Sequence, residues 1–322
     1  MKIYFYTYPV AFQCPGGGEI QLLKSKEALE RRGHEVVLFN QWEHDLADAD
    51  VVHQFSVQGG FYNLVAYLHS HDIPLVLSPI LWLSDNTEQY AMGEIGYMLS
   101  ASDVICPNSQ AEVDRFLGHF DLPEERYCVT HNGVDSVFFE QVEPDAFCRT
   151  FDINSGFILC VGNVEPRKNQ ISLVEAAKLV GLEVVLIGDV RDEDYYQTLC
   201  RRSEGHFKYV GHIDHSDPLL RSAYAACGVF ALPSLLETPG LAALEAAAAG
   251  VPLVITKEGC AKEYFGDHAF YVNPTDIEEI SESLVKAMVQ ASDPELLKTR
   301  VREFSWDRVA EELEAAYEKA RA

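Results

Sequence analysis

The chain has 322 residues, 48% of them hydrophobic, with 25 lysines and arginines against 50 aspartates and glutamates. This length and composition are typical of a globular chain that forms two domains, each with its own core. The formal net charge of −25 argues against nucleic acid as a partner and against broad docking onto an anionic membrane, because both surfaces repel a negative protein.

The N-terminal residues predict a strand rather than a targeting signal. Residues 2–8, KIYFYTY, mix aromatic and polar side chains and contain neither a long apolar core nor a cleavage site. No apolar run approaches the length of a membrane span, and the eight cysteines show no metal-binding or disulfide spacing. We therefore expect a cytoplasmic protein with reduced thiols, and a peripheral membrane contact stays open.

Short apolar runs then alternate with helical patterns along the chain. After the first strand come a glycine-rich turn and a helix over residues 19–33, followed by strands that begin near residues 34, 50, 74 and 103. The same rhythm restarts after a polar stretch, with strands that begin near residues 157, 182, 207, 228 and 252. Strands separated by helices predict parallel sheets.

The last segment, residues 304–322, reads FSWDRVAEELEAAYEKARA and predicts an amphipathic helix. Its apolar face needs a partner, and we expect it to pack on the first domain. The sequence thus predicts an α/β fold with two doubly wound domains, residues 1–140 and 141–304, and a helix over residues 305–322 that crosses back to the first domain.

The turns that follow the strands are the expected place for a site, because ligands of open parallel sheets bind beyond the carboxyl ends of the strands. The first such turn has three glycines, residues 16–18, before a helix. It is not a G-x-G-x-x-G motif, since Gln21 stands where the third glycine belongs. The turn is either a flexible connection or a place where the backbone approaches a phosphate.

Two further turns carry charged or ring side chains. Gly162 and Asn163 precede the adjacent cations Arg167 and Lys168 at a predicted helix start. Positive charge near a helix N-terminus destabilises the helix, so a bound diphosphate explains these two cations better than helix stability does. The alternative is that both are solvated surface side chains. The turn from Gly211 to His215 offers a glycine against which a planar ring can lie. His212 and His215 lack a third ligand at zinc-site spacing, so we predict no metal site.

The fourth turn lies in residues 232–252, LPSLLETPGLAALEAAAAGVP, where Glu237 and Glu245 flank a helix start at Gly240. The N–H groups of that helix start can hold a phosphate. Both acids either stabilise the helix start or accept hydrogen bonds from sugar hydroxyls on the two sides of a diphosphate. A nucleotide sugar has that arrangement of groups.

Together these motifs resemble the retaining glycosyltransferases of family four, which have the GT-B architecture of two facing Rossmann-like domains. Glu237 and Glu245 match the E-x7-E signature of that family, followed by a small-residue helix and a G-V-P turn. The resemblance spans the whole chain and includes the glycine-rich first loop, the HNGVD stretch at residues 131–135, the P-R-K-N turn and the F-S-W start of the last helix.

The resemblance implies a role for each matched residue. Glu245 would accept hydrogen bonds from the donor ribose and Glu237 from the transferred sugar, while Lys168 would neutralise the diphosphate leaving group in place of a metal. We therefore predict Glu237 and Lys168 as catalytic residues. The other predicted donor-binding residues are Gly240 and Leu241 at the distal phosphate, Arg167 and Asn163 at the diphosphate, His212 and Ile213 near the base, and Gly17 and Gly18 near the phosphates or the acceptor.

The resemblance also implies the reaction. A nucleotide-diphosphate sugar on the second domain would transfer its sugar, with retention and by same-face attack in the interdomain cleft, to an acceptor on the first domain. The expected chemistry uses no cofactor and no metal. The donor base, the donor sugar and the acceptor, whether a glycan, a lipid-linked sugar or a small molecule, stay open.

Two departures from the family pattern keep an alternative open. Asn163 stands where the family commonly has arginine, and Ile80 stands where many members carry histidine beside the reacting sugar. A chain that kept the donor site and lost catalysis would be a nucleotide-sugar-binding subunit. A GT-B epimerase would need acid and base groups that are not evident here, and a Rossmann dehydrogenase would need the missing glycine fingerprint.

Overall fold

The computed structural model describes residues 1–13, 15–84, 86–290 and 293–322. They form two compact units, the first made of Met1–Gly133 with Phe304–Ala322 and the second of Val134–Glu303. The division thus falls after Gly133, whereas the sequence placed it after residue 140.

The first unit is built on a parallel sheet with the strand order β2-β1-β3-β4-β5. Its strands follow the predicted apolar runs: β1 (Lys2–Tyr6), β2 (Glu35–Leu38), β3 (Val51–Phe55), β4 (Leu75–Ser78) and β5 (Val104–Ile105). The connecting helices are α1 (Gly17–Arg31), α2 (Tyr62–Ser70), α3 (Met92–Ala101) and α4 (Gln110–His119). The central strands β3 and β4 are buried along their whole length, as expected for a parallel sheet covered by helices.

The second unit repeats this plan with the strand order β11-β10-β9-β6-β7-β8. Its strands are β6 (Ile158–Val161), β7 (Val184–Ile187), β8 (Phe207–Tyr209), β9 (Val229–Leu232), β10 (Leu253–Thr256) and β11 (Phe270–Val272). Its helices are α5 (Asp145–Phe151), α6 (Gln170–Leu179), α7 (Glu193–Ser203), α8 (Pro218–Ala226), α9 (Leu241–Ala249), α10 (Ala261–Phe265), α11 (Ile277–Val289) and α12 (Pro294–Val301). The parallel sheets confirm the predicted α/β class, although β11 was not predicted.

The C-terminal helix α13 (Trp306–Ala320) belongs to the first unit and packs on α1. Its buried residues Trp306, Val309, Leu313 and Tyr317 form the apolar face that the sequence predicted. The helix start rests on Gly133, where a Cβ atom would lie 2.6 Å from Trp306 Cδ2. The predicted packing of this helix on the first domain is therefore confirmed.

Two sequence motifs meet at this helix. The backbone N–H of His131 donates to Glu312 Oε2 at 2.8 Å, and the His131 ring contacts Phe304 with 5.2 Å between ring centroids. The HNGVD stretch and the F-S-W stretch thus hold the C-terminal helix in the first unit, which is a structural role for both.

The residues after Gly133 pack on the second unit, and this moves the boundary. Residues Ser136–Phe139 form a 3-10 turn that contacts α9. Phe138 is buried and meets the ring of Tyr224 edge-on, with 5.8 Å between centroids. Because this aromatic contact anchors the segment, it belongs to the second core rather than to the first.

Candidate functional site

The order of strands in the second sheet marks a place for a ligand. β6 lies between β9 and β7, so the chain leaves β6 towards one edge and later returns to its other side. In open parallel sheets the crevice at such a switch point binds ligands. The turns after β6 and β9 are bonded together there, since the Leu235 N–H donates to the Arg167 carbonyl at 2.8 Å and Asn169 Nδ2 donates to the Pro233 carbonyl at 3.0 Å.

The same two turns bring two predicted residues into contact. Lys168 Nζ donates to Glu237 Oε1 at 2.6 Å, and Arg167 Nη1 lies 3.6 Å from that oxygen. Glu237 is only 5% exposed. Burial alone would raise the pKa of Glu237, but the charges of Lys168 and Arg167 outweigh it and hold this pKa below its ordinary value. The site therefore keeps a buried carboxylate ionised beside two cations.

Two glycines lie close to Glu237. A Cβ atom on Gly259 would lie 1.9 Å from the Glu237 carbonyl oxygen. Gly240 has a φ of +88°, and a Cβ atom there would lie 3.1 Å from Glu237 Oε2. The peptide bond between Thr238 and Pro239 is cis. Glycine is required at both positions, so the turn fixes the carboxylate in front of α9.

Glu245 lies inside α9 and is 6% exposed. The Tyr224 hydroxyl donates to Glu245 Oε2 at 2.7 Å, and His215 Nε2 lies 2.9 Å from Glu245 Oε1. The first turn of α9, beginning at Leu241, contains no acidic residue. Stabilisation of the helix start therefore does not account for Glu245. Its predicted role as an acceptor of ribose hydroxyls stays a prediction.

A third buried acid near the site, Glu165, was not predicted from the sequence. Glu165 is 8% exposed, and its oxygens lie 3.0 Å from Arg167 Nη2 and 3.2 Å from Arg191 Nη1. Val164 and Val190 form a parallel bridge that brings the turns after β6 and β7 side by side. Two guanidinium groups are thus held at the Glu165 carboxylate, two residues after Asn163, the position at which the resemblance implies an arginine. The feature of the sequence that could have indicated Glu165 is an acidic residue in the same turn as Arg167.

The turn after β8 holds the residues predicted near the base. The Gly188 N–H donates to the Gly211 carbonyl at 3.0 Å, which places the ends of β7 and β8 together. His212 Nδ1 lies 3.0 Å from Asp189 Oδ2, and the His212 side chain is 53% exposed. Ile213 is half-buried. Because His212 and His215 approach different carboxylates, the geometry gives no support to a shared zinc ion.

Gly17 and Gly18 belong to the first unit, where they form the first turn of α1. The side chain of Glu19 accepts hydrogen bonds there from the Gly16 N–H and the Tyr8 hydroxyl, both at 2.7 Å. A carboxylate at the helix start disfavours a phosphate there. Both predicted roles of these glycines, near the phosphates or near the acceptor, stay predictions.

Ile80 follows β4 and lies beside the same loop. A Cβ atom on Gly18 would be 3.6 Å from the Ile80 side chain. Ile80 has a φ of +48°, a conformation that β-branched residues rarely adopt and that is found most often at functional sites. The residue that the family resemblance aligns with a histidine of many members is thus an isoleucine in a strained backbone conformation, just after the end of β4.

The described residues contain neither a metal-binding cluster nor a membrane-spanning helix. No cluster of three histidine, cysteine, aspartate or glutamate side chains in residues 1–13, 15–84, 86–290 and 293–322 is arranged to hold a metal ion. In those same ranges, no helix combines the length and the apolar character needed to cross a bilayer. Metal-independent chemistry stays a prediction.

Fold and site together define a class. The switch point of the second sheet holds fixed cations, a helix N-terminus and two buried carboxylates. Such a site is suited to an anionic ligand that also carries hydroxyl groups. The fold is GT-B. Residues 147–304 match the family described as glycosyl transferases group 1, and this match supports a glycosyltransferase.

Individual relatives agree with this class. The chain is 26% identical over 263 residues to the O-antigen chain mannosyltransferase B of Escherichia coli, covering 77% of this chain and 68% of that protein. It is 24% identical over 267 residues to the GDP-mannose-dependent monoacylated alpha-(1-6)-phosphatidylinositol monomannoside mannosyltransferase of Corynebacterium glutamicum, covering 77% and 67%. Among solved structures, HepE of Anabaena in complex with UDP-glucose matches with a TM-score of 0.80 at 18% identity over 98% of each chain.

Proposed function

We propose that the protein is a retaining glycosyltransferase of family four that transfers a sugar from a nucleotide-diphosphate donor without a metal ion. The observation that carries this proposal is the buried contact between Lys168 and Glu237, 2.6 Å apart at the switch point of the second sheet. This contact supports the proposal because it brings a cation to the carboxylate that we assign to the transferred sugar, in the turn that precedes α9.

In this proposal the second unit binds the donor. Glu245 accepts hydrogen bonds from the ribose hydroxyls, and the N–H groups at Gly240 and Leu241 hold the distal phosphate. Glu237 accepts a hydrogen bond from a hydroxyl of the transferred sugar. Lys168 and Arg167 stabilise the negative charge that develops on the diphosphate as it leaves.

The bond between the sugar C1 and the diphosphate oxygen breaks as the acceptor oxygen bonds to C1 on the same face. The acceptor hydroxyl proton leaves with the nucleoside diphosphate. No residue of the chain serves as a nucleophile in this proposal. Fixed cations supply the charge stabilisation that a metal ion gives in other enzymes.

We propose a mannosyl donor as the first to test, because the E. coli and C. glutamicum relatives are named mannosyltransferases. The C. glutamicum relative is named for GDP-mannose, whereas HepE was solved with UDP-glucose. The acceptor is a glycan, a lipid-linked sugar or a small molecule.

The test is a thermal-shift series with GDP-mannose, UDP-glucose, ADP-glucose and dTDP-glucose in the presence of EDTA, since a ligand that binds the folded state raises the unfolding temperature. The stabilising donor is then assayed for hydrolysis and for transfer to mannosides, and the anomeric configuration of the product is read by NMR. Stabilisation and a product of retained configuration are expected. No stabilisation by any donor, or an inverted product, would contradict the proposal.

A nucleotide-sugar-binding subunit is the second candidate, favoured by the strained Ile80 in place of a histidine. Its signature would be stabilisation by a donor with neither hydrolysis nor transfer to any acceptor. The Ile80→His variant would then be the informative one, because gain of hydrolysis would place the loss of activity at this residue.

A further inference from the structure

His215 joins two carboxylates of the second unit. Its Nε2 lies 2.9 Å from Glu245 Oε1, and its Nδ1 lies 3.8 Å from Asp135 Oδ2. The ring also meets Phe138 edge-on, with 5.3 Å between centroids. His215 is thus held in place directly beside the carboxylate that we assign to the donor ribose.

The other oxygen of Glu245 has its own donor. The Tyr224 hydroxyl donates to Oε2 at 2.7 Å. Burial raises the pKa of this hydroxyl well above its ordinary value, so it stays an O–H donor. Each carboxylate oxygen of Glu245 therefore has one protein donor and keeps further lone pairs for a ligand.

Helix α9 itself offers Glu245 no polar neighbour, because its other residues are leucines and alanines. The terminal torsion of a glutamate side chain has a broad energy minimum. With Tyr224 alone the carboxylate could turn about that torsion, whereas donors on both oxygens set its plane. The hydrogen bond from His215 is therefore the second constraint that orients the acceptor lone pairs.

We propose that His215 is a positioning residue for donor binding, whose Nε2–H fixes the Glu245 carboxylate so that its remaining lone pairs meet the two ribose hydroxyls. This inference rests on the proposed function, because it requires Glu245 to bind the donor. His215 acts through Glu245 and is not a catalytic residue.

Three substitutions separate this role from general packing. His215→Gln brings an amide N–H to about the reach of Nε2, whereas His215→Asn carries the same amide one methylene shorter. His215→Phe keeps an aromatic ring against Phe138 and removes both nitrogens. The Gln and Asn variants are the matched pair, since they differ mainly in whether the amide reaches Glu245.

The probes are GDP and UDP, and the one that binds the parent more tightly is compared with its 2′,3′-dideoxy form by calorimetry. We expect His215→Asn and His215→Phe to bind the ribonucleotide about tenfold more weakly than the parent, and His215→Gln to stay within about threefold. The dideoxy nucleotide lacks both hydroxyls, so all four proteins are expected to bind it equally. In turnover assays the donor KM is expected to rise while kcat changes little.

Parent-like ribonucleotide binding by His215→Asn and His215→Phe would overturn the inference, as would binding by His215→Gln as weak as by His215→Asn. Unfolding without ligand checks that each variant folds, and if His215→Phe does not, the Gln and Asn pair decides. Failure of the parent to bind either diphosphate, with no stabilisation by any of the four donors, would overturn the proposed function as well. A parent that prefers the ribonucleotide, with unaffected variants, would overturn only the role of His215.

Discussion

Lys168 Nζ and Glu237 Oε1 lie 2.6 Å apart although 69 positions separate the two residues in the chain. Both side chains are mostly buried. The pair joins the turns after β6 and β9, so it contributes to the stability of the second unit as well as to the proposed chemistry.

Removing one member of the Lys168–Glu237 pair should lower the unfolding free energy more than removing both charges does. Lys168→Met leaves a buried carboxylate with Arg167 alone at 3.6 Å, and we expect a loss of about 3 kcal/mol of unfolding free energy at neutral pH. The double variant Lys168→Met with Glu237→Gln is expected to recover at least about 1 kcal/mol relative to the sum of the two single changes. Urea denaturation of the four proteins measures this coupling, and strictly additive losses would contradict it.

The two carboxylates of the site should differ in their kinetic effects. Glu245→Gln is expected to weaken donor binding about tenfold, because it loses a charged acceptor for the ribose hydroxyls. Glu237→Gln is expected to lower kcat about a hundredfold while donor binding stays within about threefold, because its hydrogen bond matters most in the transition state. Calorimetry and steady-state kinetics give the two quantities. Glu282→Gln, at an exposed position on α11, is the control, and parent-like behaviour of both site variants would refute the assignment.

The buried ring of His53 should make stability depend on pH. Its Nδ1 lies 2.8 Å from the Tyr317 hydroxyl and its Nε2 lies 2.9 Å from Ser78 Oγ, and burial lowers the pKa of His53 to about 3. Below pH of about 6.5 the unfolded chain binds a proton here that the folded chain does not. Stability is therefore highest above that pH and falls on acidification towards pH 3.

We expect His53 to lower the unfolding free energy by up to about 1.4 kcal/mol per pH unit as the pH falls from 6 to 5. Denaturant titrations at both pH values measure the slope. His53→Gln should flatten it, whereas His69→Gln, at an exposed position, should leave it unchanged. Equal slopes for the parent and His53→Gln would show that His53 does not cause the loss.

Gly133 should not tolerate a methyl group. A Cβ atom there would lie 2.6 Å from Trp306 Cδ2 and 2.8 Å from the Trp306 backbone nitrogen, so we expect Gly133→Ala to cost about 1 to 3 kcal/mol of unfolding free energy. Gly118 in α4 is the matched control, because a Cβ atom there meets nothing within 4 Å. Gly118→Ala is expected to be neutral or to stabilise by up to about 1 kcal/mol. Thermal unfolding compares the two, and equal effects would contradict the packing argument.

Most strands could be predicted because a strand buried on both faces appears as a short apolar run. The exception was β11, which has only three residues. β8 is equally short and was predicted, so length alone does not explain why β11 was missed. The boundary was also displaced, since the sequence of residues 134–140 does not show which core the buried Phe138 will join.

The sequence led us to predict Lys168, Glu237, Gly240 and Glu245 as site residues, through their positions after strands and through the family resemblance, and these roles stay predictions. It did not indicate Glu165, Arg191 or Tyr224, whose importance comes from partners far along the chain. His215 was considered only as a zinc ligand, and its partner is the Glu245 carboxylate instead.

The sequence by itself determined the α/β class, the parallel sheets, the amphipathic C-terminal helix and the residue types at the ends of the strands, because these depend on local patterns of apolar and polar side chains. Tertiary structure alone decided which charges meet, which acid is oriented by which donor and where one unit ends. Those properties depend on distances between residues that are remote in the chain, and strand order, which local patterns do not encode, sets these distances.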